Sequence, residues 1–194
     1  MLRHTLAAAF LVLFPAVALA HTGAGAAFGF ADGFWHPRGG LDHLLAMFAV
    51  GLLAAQLGGR ALWLVPGTFV VMMMAGAAAG IGGVPLPGVE YATGLSIVAI
   101  ALPIAFALGM PVPLAMALVG TFAIFHGHAH GMEIPHDAAV TKYVLGFAMA
   151  TALIHGAGVL SGLGLARLAK RELLLRALGA SIAVLGAALT LQNI

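Results

Sequence analysis

The stretch ALWLVPGTFVVMMMAGAAAGI, from Ala61 to Ile81, decides what kind of protein this is. It carries no charge and is about as long as the roughly 20 residues a helix needs to cross a hydrocarbon core. Working outward, five more apolar segments read the same way: Leu41 to Leu57, Val89 to Leu108, Val112 to Gly131, Ala139 to Leu165 and Leu173 to Leu191. None shows the alternation of a membrane barrel strand. The composition agrees. Of 194 residues 62% are hydrophobic and 7% charged, with mean hydropathy +1.10, whereas soluble domains carry about 25% charged residues. The expectation is an all-α integral membrane protein with about six transmembrane helices. Its connections, such as Gly58-Gly59-Arg60 and Gly109-Met110-Pro111, leave no room for a soluble domain.

The N-terminus is read separately. Met1-Leu2-Arg3-His4 is a short positive start, Thr5 to Leu19 an apolar run interrupted by Pro15, and Ala18-Leu19-Ala20 a small-x-small cleavage pattern. Residues 1–20 are therefore expected to be a signal peptide, with an uncleaved first helix as the alternative. Residues 21–194 then form one polytopic helical domain. Cleavage would expose His21, whose imidazole beside a free α-amine could chelate a divalent ion.

An exported N-terminus sends the first mature helix inward. Arg60, Arg167, Lys170, Arg171 and Arg176 then fall on the cytoplasmic side, with only Arg38 and Lys142 outside, as the positive-inside rule requires. The Gly- and Ala-rich stretches, Gly76 to Gly80 among them, suit close helix packing in lipid. The consecutive Met72, Met73 and Met74 spread around their helix and read as packing.

Several classes are excluded. The chain has no cysteine, hence no disulfide or thiolate site. A net charge of +2 with scattered basic residues is no nucleic-acid footprint. No Gly-x₄-Gly-Lys-Ser/Thr is present, so no P-loop binds ATP.

Ionisable groups inside spans are costly and mark function, and on this topology they gather at the outer face. Around His36-Pro37-Arg38-Gly39-Gly40-Leu41-Asp42-His43, Asp42 sits in a helix first turn, where capping is its plain structural role. His43 and Met47 share a face, and the Gly-Gly link lets His36 fold back beside His43. In His126-Gly127-His128-Ala129-His130-Gly131-Met132-Glu133, helical periodicity puts His126, His130 and Glu133 on one face and turns His128 away. An i, i+4 imidazole pair with a carboxylate is a divalent transition-metal donor set. His128 could face headgroups or line an access path. Glu90, at the outer end of the third segment, could neutralise a bound cation or simply mark the interface. His155, mid-span in the fifth, could be a deeper stepping site, a proton carrier or a helix-to-helix hydrogen bond.

These motifs resemble the HupE/UreJ family of nickel and cobalt permeases: His-Pro-x-Gly-Gly-x-Asp-His at His36 to His43, and Phe-His-Gly-x-Ala-His-Gly-x-Glu at Phe125 to Glu133. The His-x₅-Asp-His spacing is also similar, within one residue, to the signature of the larger nickel/cobalt transporter family. The resemblance implies a multi-pass inner-membrane protein with a periplasmic mature N-terminus, taking up Ni²⁺ or Co²⁺ from the periplasm for hydrogenase or urease. It implies His36, Asp42, His43, His126, His130 and Glu133 as metal ligands; the residues read by themselves add His21, Glu90, His128 and His155 as secondary candidates. The metal is cargo; no catalysis and no resident cofactor are expected. The rival reading is an intramembrane metalloenzyme, a zinc or iron hydrolase or oxygenase using the same cluster with Glu133 as base. The chain lacks the His-Glu-x-x-His signature that would favour it.

Overall fold

The structure, a computed structural model, describes residues 29–134, 139–165, 168 and 170–192. The expected signal peptide at 1–20, together with His21, His136 and Asp137, lies outside the described residues. The chain runs through a short α1 (Phe30–Trp35), a 3-10 turn (His36–Gly39), then α2 (Leu41–Leu57), α3 (Ala61–Ile81), α4 (Val89–Ala105), α5 (Val112–Glu133), α6 (Val140–Leu165) and α7 (Arg171–Gln192). No strand occurs among the described residues.

α2 and α3 begin and end where the apolar segments do. Gly58, at φ 70°, stops α2 while its N–H donates to the Ala54 carbonyl at 2.9 Å; a side chain there would be strained. α4 is shorter than the expected Val89 to Leu108. Ala107 takes φ 50°, the Leu108 N–H donates to the Pro103 carbonyl at 2.8 Å, and the Ala107 N–H to that of Ile104 at 3.1 Å. This is a Schellman-type ending with Ala in the place usually held by Gly. The side-chain amide of Gln56 donates to the Pro103 and Leu108 carbonyls, each at 3.1 Å. α1 was not anticipated. It meets α2 at a 94° bend at Gly39-Gly40, and Asp32 accepts the Gly29 N–H at 2.7 Å to start it.

Among the described residues four helices are long and apolar enough to cross a membrane, Ala61–Ile81, Val112–Glu133, Val140–Leu165 and Arg171–Leu191, and a fifth if the bent α1–α2 pair counts as one span. α4, at 17 residues, rises about 25 Å, short of a hydrocarbon core of about 30 Å. The expectation of six full-length spans is thus met in part.

The core is Ala-, Val- and Leu-rich along α2, joined by Val65, Phe69 and Met73 of α3 and Ala115, Val119 and Ala123 of α5. Backbone contact brings the helices this close. A Cβ on Gly76 or Gly80 of α3 would land on the Ile124 or His128 carbonyl oxygen of α5, and one on Gly127 or Gly131 of α5 on the Met73 or Ala77 carbonyl oxygen of α3. These two small-xxx-small motifs face each other, and the pairings advance together, so α3 and α5 run parallel. α2 and α6 are joined likewise: a Cβ on Gly51 would meet the His155 carbonyl, and one on Gly158 the Phe48 carbonyl. Both tight seams are where the histidines lie.

Candidate metal centre

Three elements converge at one end of the bundle. The 3-10 turn offers His36, the first turn of α2 offers Asp42 and His43, and the last two turns of α5 offer His126, His130 and Glu133. α5 runs past the expected Gly131 to Glu133, so the periodicity that puts His126, His130 and Glu133 on one face holds through the last of them.

The donors form two groups that share His130. His43, His126 and His130 place one ligand atom each within 4.8 Å of one another, and so do His36, His130 and Glu133. His36 Nε2 lies 2.9 Å from His130 Nδ1 and 3.1 Å from Glu133 Oε2, and His130 Nδ1 lies 3.4 Å from the same carboxylate oxygen. The His36 and His130 ring centroids are 4.8 Å apart, those of His43 and His130 4.4 Å, and those of His43 and His126 5.1 Å. The Gly-Gly link does return His36 towards His43, with His130 between them.

The inner group has its proton positions set by its surroundings. The Asp42 carboxylate can only accept, so at 2.8 Å it takes a hydrogen from His43 Nδ1 and leaves the lone pair on Nε2. The side chain of Asp42 thus orients an imidazole from the first turn of the helix. The Ser96 hydroxyl of α4 donates to the Thr93 carbonyl at 2.5 Å, so it accepts from His126 Nε2 at 2.8 Å. That leaves the His126 lone pair on Nδ1. His43 Nε2, His126 Nδ1 and His130 Nε2 are all buried and have no hydrogen-bond partner among the described residues. An unsatisfied buried polar atom costs about 1–3 kcal/mol, and here three belong to imidazoles that offer ligand atoms within 4.8 Å of one another. Outer partners that fix the tautomer while the inner nitrogen stays bare are the usual support of a metal-binding histidine.

Several groups escaped the sequence reading. The Tyr143 hydroxyl of α6 lies 2.6 Å from His36 Nδ1, and Phe147 packs against both His36 and His130, with ring centroids at 5.8 and 4.3 Å. Tyr143, Phe147, Thr151 and His155 are all buried and recur every fourth residue, a stripe the sequence displays. Ser96 gives no such signal; only the fold brings it to His126.

The secondary candidates separate. His128 turns away from the cluster, as the periodicity requires, but it is buried and its Nε2 donates to the Val84 carbonyl at 2.7 Å, tying down the α3–α4 connection. Glu90 stands exposed in the first turn of α4, outside both groups. His155 is buried in α6 against Phe69, with centroids 5.0 Å apart, and neither ring nitrogen has a hydrogen-bond partner among the described residues. The helix-to-helix hydrogen bond considered for it is absent among them.

Comparison with known proteins gives a family. Residues 9–189 match the family described as HupE / UreJ protein. The chain is 45% identical over 176 residues to "Protein HupE" of Rhizobium leguminosarum bv. viciae, covering 90% of this chain and 91% of that one. No solved structure matches it.

Proposed function

The chain belongs to the HupE/UreJ family, and from that premise we propose that it is a secondary transporter taking up Ni²⁺, or Co²⁺ in its place, from periplasm to cytoplasm. The single observation that carries the reading is that His43, His126 and His130, whose ligand atoms lie within 4.8 Å of one another, each keep a buried ring nitrogen without a hydrogen-bond partner among the described residues. Nitrogen and carboxylate donors without thiolate suit a borderline divalent ion. An incomplete protein shell that leaves the ion partly hydrated suits release better than a closed cage does.

The two groups act in sequence. His36, His130 and Glu133 lie toward the exposed end and capture the ion; His43, His126 and His130 hold it deeper. A neutral imidazole has one lone pair, so His130 serves the outer group through Nδ1 or the inner group through Nε2. The ion is passed inward as His130 changes tautomer, with Asp42 and Ser96 keeping His43 and His126 ready to receive it. Tyr143 steadies the His36 ring at the mouth. A divalent cation moving into a negative interior gains about 4.6 kcal/mol per 100 mV, so accumulation requires no ATP. Residues 1–20 export the N-terminus and are removed, the protein resides in the inner membrane, and its cargo supplies a nickel enzyme such as hydrogenase or urease.

The test is radioactive Ni²⁺ uptake into proteoliposomes with Co²⁺ and Zn²⁺ as competitors, comparing the intact protein with His43→Ala and His130→Ala at matched incorporation. Saturable uptake that both substitutions abolish supports the reading, and the competition order identifies the metal. Tight binding with no movement across a sealed membrane refutes it and favours a fixed metal site.

A further inference from the structure

Below the cluster lies a second, smaller set of donors that the capture site does not use. α3 and α6 run antiparallel there, and two contacts stack one helical turn apart. Nearer the cluster, the Thr151 hydroxyl donates to the Met73 thioether at 3.7 Å. One turn further in, the Phe69 ring meets the edge of the His155 imidazole at an 87° interplanar angle. Phe69 also touches His126 of the cluster, at 5.7 Å between centroids. One aromatic ring therefore contacts both the deepest imidazole of the outer site and the isolated one below it. His155 lies twelve residues past Tyr143 in α6, or about 18 Å along the helix, so it is well inside the bundle.

The environment of His155 calls for a ligand. Its side chain is buried, at 2% exposure, and both ring nitrogens lack a hydrogen-bond partner among the described residues. Packing alone would be served by Leu or Phe without leaving a donor and an acceptor unsatisfied. No carboxylate of the described residues pairs with it, unlike His43 or His130. A neutral imidazole with a hydroxyl and a thioether one turn away makes a weak, mixed donor set. Such a set holds a partly hydrated cation briefly, as conduction through successive sites requires.

We propose that His155 is a second, inner stop for the transported divalent cation, reached from His126 past the Phe69 ring, with Thr151 and Met73 supplying the neighbouring donors. This rests on the transport reading above and adds a site to it. His155 acts after capture, so its loss slows turnover and leaves binding at the outer face intact.

The experiment uses the full protein in proteoliposomes and two substitutions. His155→Gln keeps a polar side chain of similar reach but removes the imidazole. The expected result is an initial Ni²⁺ uptake rate at least tenfold lower, with KM and equilibrium Ni²⁺ binding within about twofold of wild type. His155→Cys replaces the imidazole with a soft donor in a chain that has no other cysteine. It is expected to retain transport and to make Cd²⁺ a stronger competitor of Ni²⁺, since thiolate favours softer ions. A purely structural role would not move that competition order. Wild-type uptake rates in His155→Gln, or an unchanged competition order in His155→Cys, overturn the proposal. Either variant decides if the other does not fold. Wild type and His130→Ala in the same preparation separate the two readings: absence of wild-type uptake refutes transport itself, whereas loss in His130→Ala alongside normal His155→Gln refutes only the inner stop.

Discussion

Helices α3 and α5 meet backbone to backbone at four glycines, whereas α4 and α7 do so at one and elsewhere meet through side chains. On the first seam a Cβ at Gly76, Gly80, Gly127 or Gly131 would land on a carbonyl oxygen of the facing helix. On the second, a Cβ at Gly179 would meet the Ala105 backbone nitrogen at 2.6 Å, but one at Gly94 would meet the Thr190 hydroxyl at 2.7 Å and one at Gly186 the Ile97 Cγ2 at 2.6 Å, both side-chain atoms. The first seam also positions His126 and His130; the second carries no histidine. Backbone contact fixes two helices in one register, and a site whose donors must stay within 4.8 Å of one another needs that fixity. Side-chain contact tolerates adjustment, which suffices for a pair that touches the site only through Ser96 of α4.

The comparison is broken most directly by adding bulk. Gly127→Val is expected to cost the upper end of the typical 1–3 kcal/mol for overpacking, or more, because the Met73 carbonyl cannot yield. Gly94→Ala should cost less than about 1 kcal/mol, since Thr190 can change rotamer. Thermal denaturation in detergent checks both, and equal losses would show that the two seams are not different in kind.

Within the site, the expected effects descend from the inner nitrogens to their supports. His43→Ala should weaken Ni²⁺ binding by more than about 100-fold, as it removes a donor. Asp42→Asn removes the carboxylate that holds the His43 tautomer and should cost roughly 10- to 100-fold, the range for losing a partner behind a ligand. Ser96→Ala should cost about tenfold by the same reasoning, and Tyr143→Phe less again. Isothermal titration with Ni²⁺ measures the series; an Asp42→Asn protein that binds as wild type would leave Asp42 with no role in orienting His43.

Acidity sharpens the same contrast. Protonated imidazole has no lone pair for a metal, so uptake should weaken once the outer face is acid enough to protonate the capturing histidines. The α4–α7 pair carries no histidine, and its packing should survive acid that stops uptake. An affinity that acid never changes, down to the point of unfolding, would argue against histidine capture.

Much of this was legible in the sequence, for identifiable reasons. α2 and α3 were placed to the residue because Gly58-Gly59 and Gly82-Gly83 punctuate apolar runs. The face shared by His126, His130 and Glu133 followed from helical periodicity alone. α4 was drawn three residues too long, since Gly109 looks like its terminator while the chain stops earlier on Ala107 at positive φ. α1 was missed because six residues are too few for a periodic signal. The position of Asp42 in a first turn suggests capping, and only the folded chain shows its carboxylate bonded to the His43 ring. Ser96 and Tyr143 reach the site through tertiary packing between distant helices, which local pattern does not encode.

The central claim is that His43, His126 and His130 turn bare nitrogens toward one point and hold the cargo there. X-ray absorption at the nickel edge of protein loaded with one equivalent of Ni²⁺ tests this most directly. The account predicts outer-shell scattering from two or three imidazoles in the wild type, reduced by one in His126→Ala. A shell of oxygen ligands only, or a spectrum unaltered by His126→Ala, would contradict it.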